Sequence, residues 1–173
     1  MAERIHRSES QYAGGQRHAE HLELGRAERQ QHHVVLVLAE AGLGRLGLAE
    51  RIGLVLAPPL IFPAVSQGAL GIECRADDTV TRDLLAQLAC PVTTAEVLAE
   101  RSLLRTLRAG CHAPLGVWCS VEQQQLTLTG VLLSHDGSTR LEQTVCGMTT
   151  EPEVAGQQVA EQLLGCGAES LLQ

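Results

Sequence analysis

Lysine is missing altogether: all 13 basic residues of this 173-residue chain are arginine. A lysine Schiff base, a P-loop lysine and a kinase-type lysine are therefore impossible within it. Aromatic residues are almost as scarce, at 2%. A core must then be built from Leu, Val and Ala, and the 45% apolar content allows one in one domain or two small ones. Net positive charge is lacking too. At −7 the chain is not expected to bind nucleic acid, which needs clustered cations. No apolar run approaches a membrane span, and no apolar h-region follows the N-terminus. A cytoplasmic protein with no membrane partner is the simplest expectation. The six cysteines are Cys74, Cys90, Cys111, Cys119, Cys146 and Cys166. No two stand at CxxC spacing, so a structural zinc or thioredoxin-like site has no support, and reduced thiols are the default.

Residues 1–33 stand apart. They hold five of the seven histidines, five Arg and five Glu, and Leu22 and Leu24 are too sparse for an amphipathic stripe. His18, His21, His32 and His33 lack the acidic or cysteine partners of a metal site, so no metal is expected there. The segment reads as disordered or mistranslated, and the all-arginine inventory hints at a GC-rich gene in which a frame error or truncated gene model would look like this.

From Val34 onward the patterns sharpen. Val34 to Leu38 is a short continuous apolar run, as expected of a strand buried on both faces, and a short helix carrying Arg45 follows. Thr79 to Leu88 reads as a helix with Leu84, Leu85 and Leu88 on its apolar side. Thr93 to Arg108 reads as a stronger one, opened by the capping box Thr93-x-x-Glu96, with Val97, Leu104 and Leu107 on one face. Leu115 to Val121, Gln125 to Leu133 and Thr139 to Cys146 read as strands, with Asp136-Gly137 a tight-turn signal between the last two. A final helix is expected from Thr150-x-x-Glu153, with Ala155, Val159 and Leu163 at i, i+4, i+8. The physical inference is a three-stranded antiparallel sheet with helices on one face. Cys74, Cys119, Cys146 and Trp118 read as core residues; Cys90 and Cys166 fall near element ends.

Cys111 sits in Ala109-Gly110-Cys111-His112-Ala113-Pro114-Leu115-Gly116. A helix is expected to end at Gly110, the usual residue for a left-handed C′ position, and Pro114 blocks its continuation. The thiol is then presented on a constrained turn. Spacing alone leaves the alternative of a small buried core cysteine open.

Three blocks carry a resemblance: Glu100-Arg101-Ser102-Leu103-Leu104-Arg105-Thr106-Leu107-Arg108 continuing through Cys111 to Gly116, Pro63-Ala64-Val65-Ser66-Gln67-Gly68-Ala69-Leu70-Gly71-Ile72-Glu73-Cys74-Arg75, and Ala41-Gly42-Leu43-Gly44-Arg45-Leu46-Gly47-Leu48 with Glu50-Arg51-Ile52. In this order and spacing they resemble the porphobilinogen deaminase (hydroxymethylbilane synthase) family, from about Val34 to the C-terminus and not across the first 33 residues. The resemblance implies an α/β fold. An α+β C-terminal domain, the three-stranded antiparallel sheet with helices on one face, would occupy 91–173. An incomplete piece of a periplasmic-binding-protein-like α/β domain would occupy 34–90, a remnant of the family's central and first domains.

Members of that family join four porphobilinogen molecules head to tail into hydroxymethylbilane, releasing ammonia, in tetrapyrrole (porphyrin, haem) biosynthesis. The chain grows on a dipyrromethane cofactor. By resemblance Cys111 is its covalent thioether attachment point, and Arg45, Gln67 and Gly68 are cofactor-binding residues. Arg45 supplies a forked cation for acetate and propionate groups, though on chemistry alone it equally suits a surface arginine at a helix C-terminus. Ser66 replaces the glycine usual before that glutamine, which reduces backbone freedom. Glu100 and Arg101 also resemble a family pair, but helix-surface charges are not counted as site residues. The implied partners are porphobilinogen and the growing linear polypyrrole, and the family is usually monomeric. No general acid is identified, since none of Asp77, Asp78, Asp83 or Asp136 falls in a matching context. The chain is thus expected to be a fragment, inactive alone; the alternatives are a non-catalytic small α/β binding module and a purely structural domain.

Overall fold

The computed structural model describes residues 2–4, 36–110 and 113–172. In chain order the elements are β1 (Ala2–Arg4), α1 (Glu40–Arg45), β2 (Ala69–Gly71), α2 (Thr79–Ala86), α3 (Pro91–Thr106), β3 (Leu115–Glu122), β4 (Gln125–Leu133), β5 (Arg140–Met148) and α4 (Pro152–Gly165), with short 3₁₀ turns at Ala49–Arg51 and Ala168–Leu171. The chain divides into two compact units, one formed by Met1–Ile5 with Ala57–Gln173 and the other by His6–Leu56. Residues 57–90 lie in the same unit as the C-terminal elements.

In the larger unit β3, β4 and β5 form an antiparallel meander in that order, in a register that sets Val117 opposite Gly130 and Thr129 opposite Thr144. Side chains alternate across a strand, and β4 shows why one face is dry: Leu126 and Leu128 are fully buried, whereas Thr127 and Thr129 are not. Helices cover that face. Along α3 the stripe Ala95, Ala99, Leu103 and Leu107 is buried, and along α4 Ala155, Val159 and Leu163, the i, i+4 spacing that keeps one helix face on a core. All share one cluster with Val117, Cys119, Leu132 and Val145. A fully buried Leu or Val contributes about 1.5–3 kcal/mol, so this aliphatic cluster stabilises the unit without aromatic residues. The two helices cross at Gly156, where an added Cβ would overlap the carbonyl oxygen of Ala99.

The expected meander and the helices on one face are thus present, with corrections at the helix ends. α3 begins at Pro91 and α4 at Pro152, each proline at the first helical turn, where its missing N–H costs nothing. Thr93 and Glu96 lie inside α3, so neither expected capping box opens a helix. Nor does α3 run to Gly110. It ends at Thr106, and Arg108 takes the left-handed residue, φ 50°. The Arg108 N–H donates to the Arg105 carbonyl (3.0 Å) and the Ala109 N–H to the Leu104 carbonyl (3.2 Å), the paired bonds of a Schellman end.

Exposure corrects other expectations. Leu84 of α2 and Leu88 just beyond it are mostly exposed, and α2 buries no residue. Cys74 and Cys146 are exposed, leaving Cys119 as the buried one of the three cysteines read as core. Trp118 is half-buried, on the sheet face opposite Val117 and Cys119. Asp136-Gly137 lies within a longer connection, Ser134 to Thr139, closed by the Ser134 N–H on the Thr139 carbonyl (2.9 Å).

Phe62 and Pro63 meet the open edge of β3. The Val117 N–H donates to the Pro63 carbonyl (2.8 Å), Phe62 abuts Gly116, and the Arg140 guanidinium lies 5.5 Å over the Phe62 ring. Further on, β2 pairs antiparallel with β1. In the other unit α1 buries no residue. Leu36, Val37 and Leu38 are 73%, 74% and 60% exposed and lie outside any strand; Val34 and Val35 fall outside the described residues. A strand buried on both faces needs flanking strands to take its backbone bonds, and none pairs here among the described residues.

Candidate functional site

Gln67 and Gly68 lie together on one built turn. The Gln67 N–H donates to the Ala64 carbonyl (3.1 Å) and the Ala69 N–H to the Ser66 carbonyl (3.2 Å). The Gln67 side chain folds back, its Oε1 accepting the Ala64 N–H at 3.1 Å. That fixes the amide plane and leaves the Nε2 donors at an exposed position. Gly68 adopts φ 83°, with no atom within 4 Å of where a Cβ would stand. Ser66 adopts φ 60°, and its buried Oγ has no hydrogen-bond partner. The turn asks for a left-handed residue where this chain has serine, and the replacement of glycine there has a visible cost.

This turn is anchored to α3. The Ser66 N–H donates to Glu100 Oε2 at 2.7 Å across 34 positions of sequence, and Glu100 is 1% exposed. Sequence reasoning set Glu100 aside as a helix-surface charge. The available signal was its place between Ala99 and Leu103 on the buried side of α3, one turn after Glu96, which is also buried. Arg101, Arg105 and Arg108 do stay exposed, lining a shallow depression of α3 with Leu98, Leu104, Ala109 and Glu153.

Arg45 is exposed and ends α1, in the unit separate from Gln67 and Gly68. Cys111 and His112 lie outside the described residues, as do His18, His21, His32 and His33. On either side of Cys111 the Ala113 N–H donates to the Gly110 carbonyl (3.0 Å) and the Leu115 N–H to the Ala113 carbonyl (2.7 Å), where β3 begins.

Two of the four aspartates weighed as acids are engaged elsewhere. Asp78 caps α2, accepting the Thr81 N–H (3.0 Å) and hydroxyl (2.7 Å), and these bonds, the backbone one foremost, hold its pKa below the ordinary carboxylate value. Asp136 Oδ1 accepts the Ser134 hydroxyl (2.6 Å), the Ser138 hydroxyl (2.8 Å) and the Ser138 N–H (3.1 Å), which bring its pKa down to about 2. Both are ionised at neutral pH, with no proton to deliver.

Comparison with known proteins decides the family. Residues 94–165 match the profile described as porphobilinogen deaminase, C-terminal domain, and residues 21–83 match that of the porphobilinogen deaminase dipyromethane cofactor binding domain. The chain belongs to the porphobilinogen deaminase family. Among similar relatives, the porphobilinogen deaminases of Nostoc sp. and Synechococcus elongatus are each 44% identical to it over 137 residues, 79% of this chain. That of Syntrophotalea carbinolica is 43% identical over the same length. These regions are 42%, 43% and 44% of the respective relatives, so the chain spans less than half their length. The profile match from residue 21 enters the segment 1–33, so similarity to porphobilinogen deaminase reaches further toward the N-terminus than Val34.

Within the larger unit the turn has chemistry that suits a carboxylate-bearing group such as dipyrromethane: Gln67 presents an oriented, exposed amide and Gly68 leaves open space beside it.

Proposed function

We propose that this chain is the cofactor-holding portion of a porphobilinogen deaminase (hydroxymethylbilane synthase), a transferase that condenses four porphobilinogen molecules head to tail with release of ammonia. Cys111 would carry the dipyrromethane through a thioether. Residues 91–173 would form the attachment domain and 34–90 the remnant of the central and first domains. The observation that carries the reading is the turn 64–68, which offers a pre-oriented Gln67 amide and is bonded to the helix that leads into Cys111.

Bound dipyrromethane would supply the primer from which the polypyrrole grows. The protein's part is binding and orientation. Gln67 Nε2 donates to a pyrrole carboxylate, with its plane held by the Ala64 bond so that little rotamer freedom is lost on binding. Gly68 lets the ligand approach the backbone. Arg45 neutralises acetate or propionate groups by a forked pair of N–H donors. The α3 end and Pro114 limit how far a ligand tethered at Cys111 can swing. Porphobilinogen and the linear polypyrrole are the small-molecule partners, and a monomer in the cytoplasm is the setting. Asp78 and Asp136 are committed to the α2 cap and the Ser134 to Thr139 connection, and no general acid is assigned among the described residues.

Intact mass and peptide mapping test this. In protein purified from cells, an adduct of two pyrrole units is expected on the Cys111 peptide and absent from Cys111→Ala. Adducts spread over other cysteines, or persisting in that variant, would refute the assignment of Cys111.

A further inference from the structure

A buried carboxylate on the helix that leads to the tether holds the one turn that carries two candidate ligand-binding residues. We propose that Glu100 is a positioning residue for Gln67 and Gly68, setting the turn 64–68 against α3; the inference rests on reading that turn as part of the cofactor cleft.

A carboxylate 1% exposed is costly unless its oxygens are satisfied, and one of them is spent on a backbone N–H 34 residues away. The bond is charge-assisted and short. It falls on Ser66, the strained residue, immediately before Gln67. Such a conformation persists only where its surroundings over-determine it. The other bonds of the turn, Gln67 to Ala64 and Ala69 to Ser66, are internal to it and shape it without placing it. Among the described residues, three contacts tie it to the rest of the unit: Pro63 on the β3 edge, Val65 against the aliphatic cluster and Ser66 on Glu100. Glu100 stands six residues before the end of α3, about 9 Å along its axis. The Glu100 side chain thus ties the backbone next to Gln67 directly to α3, where Val65 contributes only apolar packing.

The test uses the full chain with Glu100→Gln, which keeps a neutral acceptor, and Glu100→Ala, which removes it. Three readouts are compared: thermal melting, hydrogen exchange at the Ser66 amide against the β4 amides, and the Gln67 side-chain NH₂ resonance during titration with porphobilinogen. Glu100→Gln is expected to melt within a few degrees of the parent. It should lose about two- to fivefold of Ser66 protection, and Glu100→Ala about tenfold or more, with β4 protection kept in Glu100→Gln. Porphobilinogen affinity at Gln67 should fall in the same order. Ser66 protection that changes only in step with β4, or a Gln67 resonance indifferent to both variants, would overturn the proposal. If the parent chain shows no porphobilinogen response at Gln67, the cleft reading fails, whereas Ser66 exchange still decides whether Glu100 holds the turn.

Discussion

Gly156 of α4 lies so tightly over Ala99 of α3 that a Cβ on it would overlap the Ala99 carbonyl oxygen and come within 2.7 Å of the Leu103 amide nitrogen. Backbone atoms cannot swing aside as a flexible side chain can, so the two helices would have to separate over the core they share. Gly156→Ala gains helix propensity worth about 1 kcal/mol, but overpacking of this kind costs about 1–3 kcal/mol or more. The variant is expected to be less stable by about 1 kcal/mol in denaturant unfolding. Gly165→Ala is the control: nothing lies within 4 Å of its added methyl, and it should be neutral or slightly stabilising.

Ser66→Gly acts in the opposite direction. It removes a left-handed non-glycine residue, a conformation costing about 1–2 kcal/mol, together with a buried hydroxyl that has no partner. The unfolded chain gains freedom, which returns about 0.4–1 kcal/mol. Net stabilisation of about 1 kcal/mol is expected, seen as a rise of about 2–4 °C in melting temperature. The Ser66 N–H to Glu100 bond should survive, because it uses only backbone at that position. A lowered melting temperature would mean that the hydroxyl has a partner after all.

Arg108 presents the same strain at the end of α3. With φ 50° and both Schellman bonds formed, the position suits glycine. Arg108→Gly is expected to stabilise the chain by about 0.5–1 kcal/mol, measured by thermal melting, with Arg108→Ala gaining nothing comparable. Equal effects of the two would show that loss of the arginine side chain, and not relief of backbone strain, is responsible.

These two positions mark where sequence reasoning stopped. Where a pattern is local and periodic it was legible: Leu126-Thr127-Leu128-Thr129 alternates as a half-buried strand must, and Ala155, Val159 and Leu163 recur as one helix face must. Helix ends were less so. Pro91 and Pro152 took the first turns, and Thr93-x-x-Glu96 turned out to be interior because proline at the first position suffices to start a helix. Gly110 drew the expected helix end two residues past Arg108, since nothing in a sequence reveals an arginine held at positive φ. Gln67 and Gly68 are proposed by resemblance, and Glu100 too falls in a resembled block, but its bond to Ser66 was not legible there. Its partner is a backbone N–H 34 positions away, and backbone groups leave no trace in residue identity. The run at Leu36 to Leu38 misled for a related reason, because burial on both faces depends on neighbouring strands.

The Ser134 to Thr139 connection should respond to acid at an unusually low pH. Asp136 is held at about 2 by donors from Ser134 and Ser138, against an ordinary value of 3.8. Because the folded value is depressed, the carboxylate's contribution to the connection is fully present above the unfolded value and is lost as pH falls through the folded one. Titration of the Ser138 amide resonance should therefore inflect near 2. An inflection near 3.8 would show that the hydroxyl donors are not engaged. Asp136→Asn should remove the inflection.

Among the described thiols, Cys90 shows an altered acidity. It stands at the N-cap of α3, where unpaired N–H groups and the helix dipole favour negative charge. The Thr93 hydroxyl foremost, and then the Thr93 N–H, hold its pKa below the ordinary thiol value of 9.0. Depression of the folded value means that the thiolate's contribution to stability is present above the unfolded pKa and is lost as pH falls through the folded one. The pH profile of iodoacetamide modification at Cys90, followed by peptide mass, should accordingly inflect below 9.0. Thr93→Val removes the hydroxyl donor at nearly constant volume. The inflection should then move upward while the backbone N–H retains part of the shift. A profile that Thr93→Val leaves in place would assign the depression to the helix end alone.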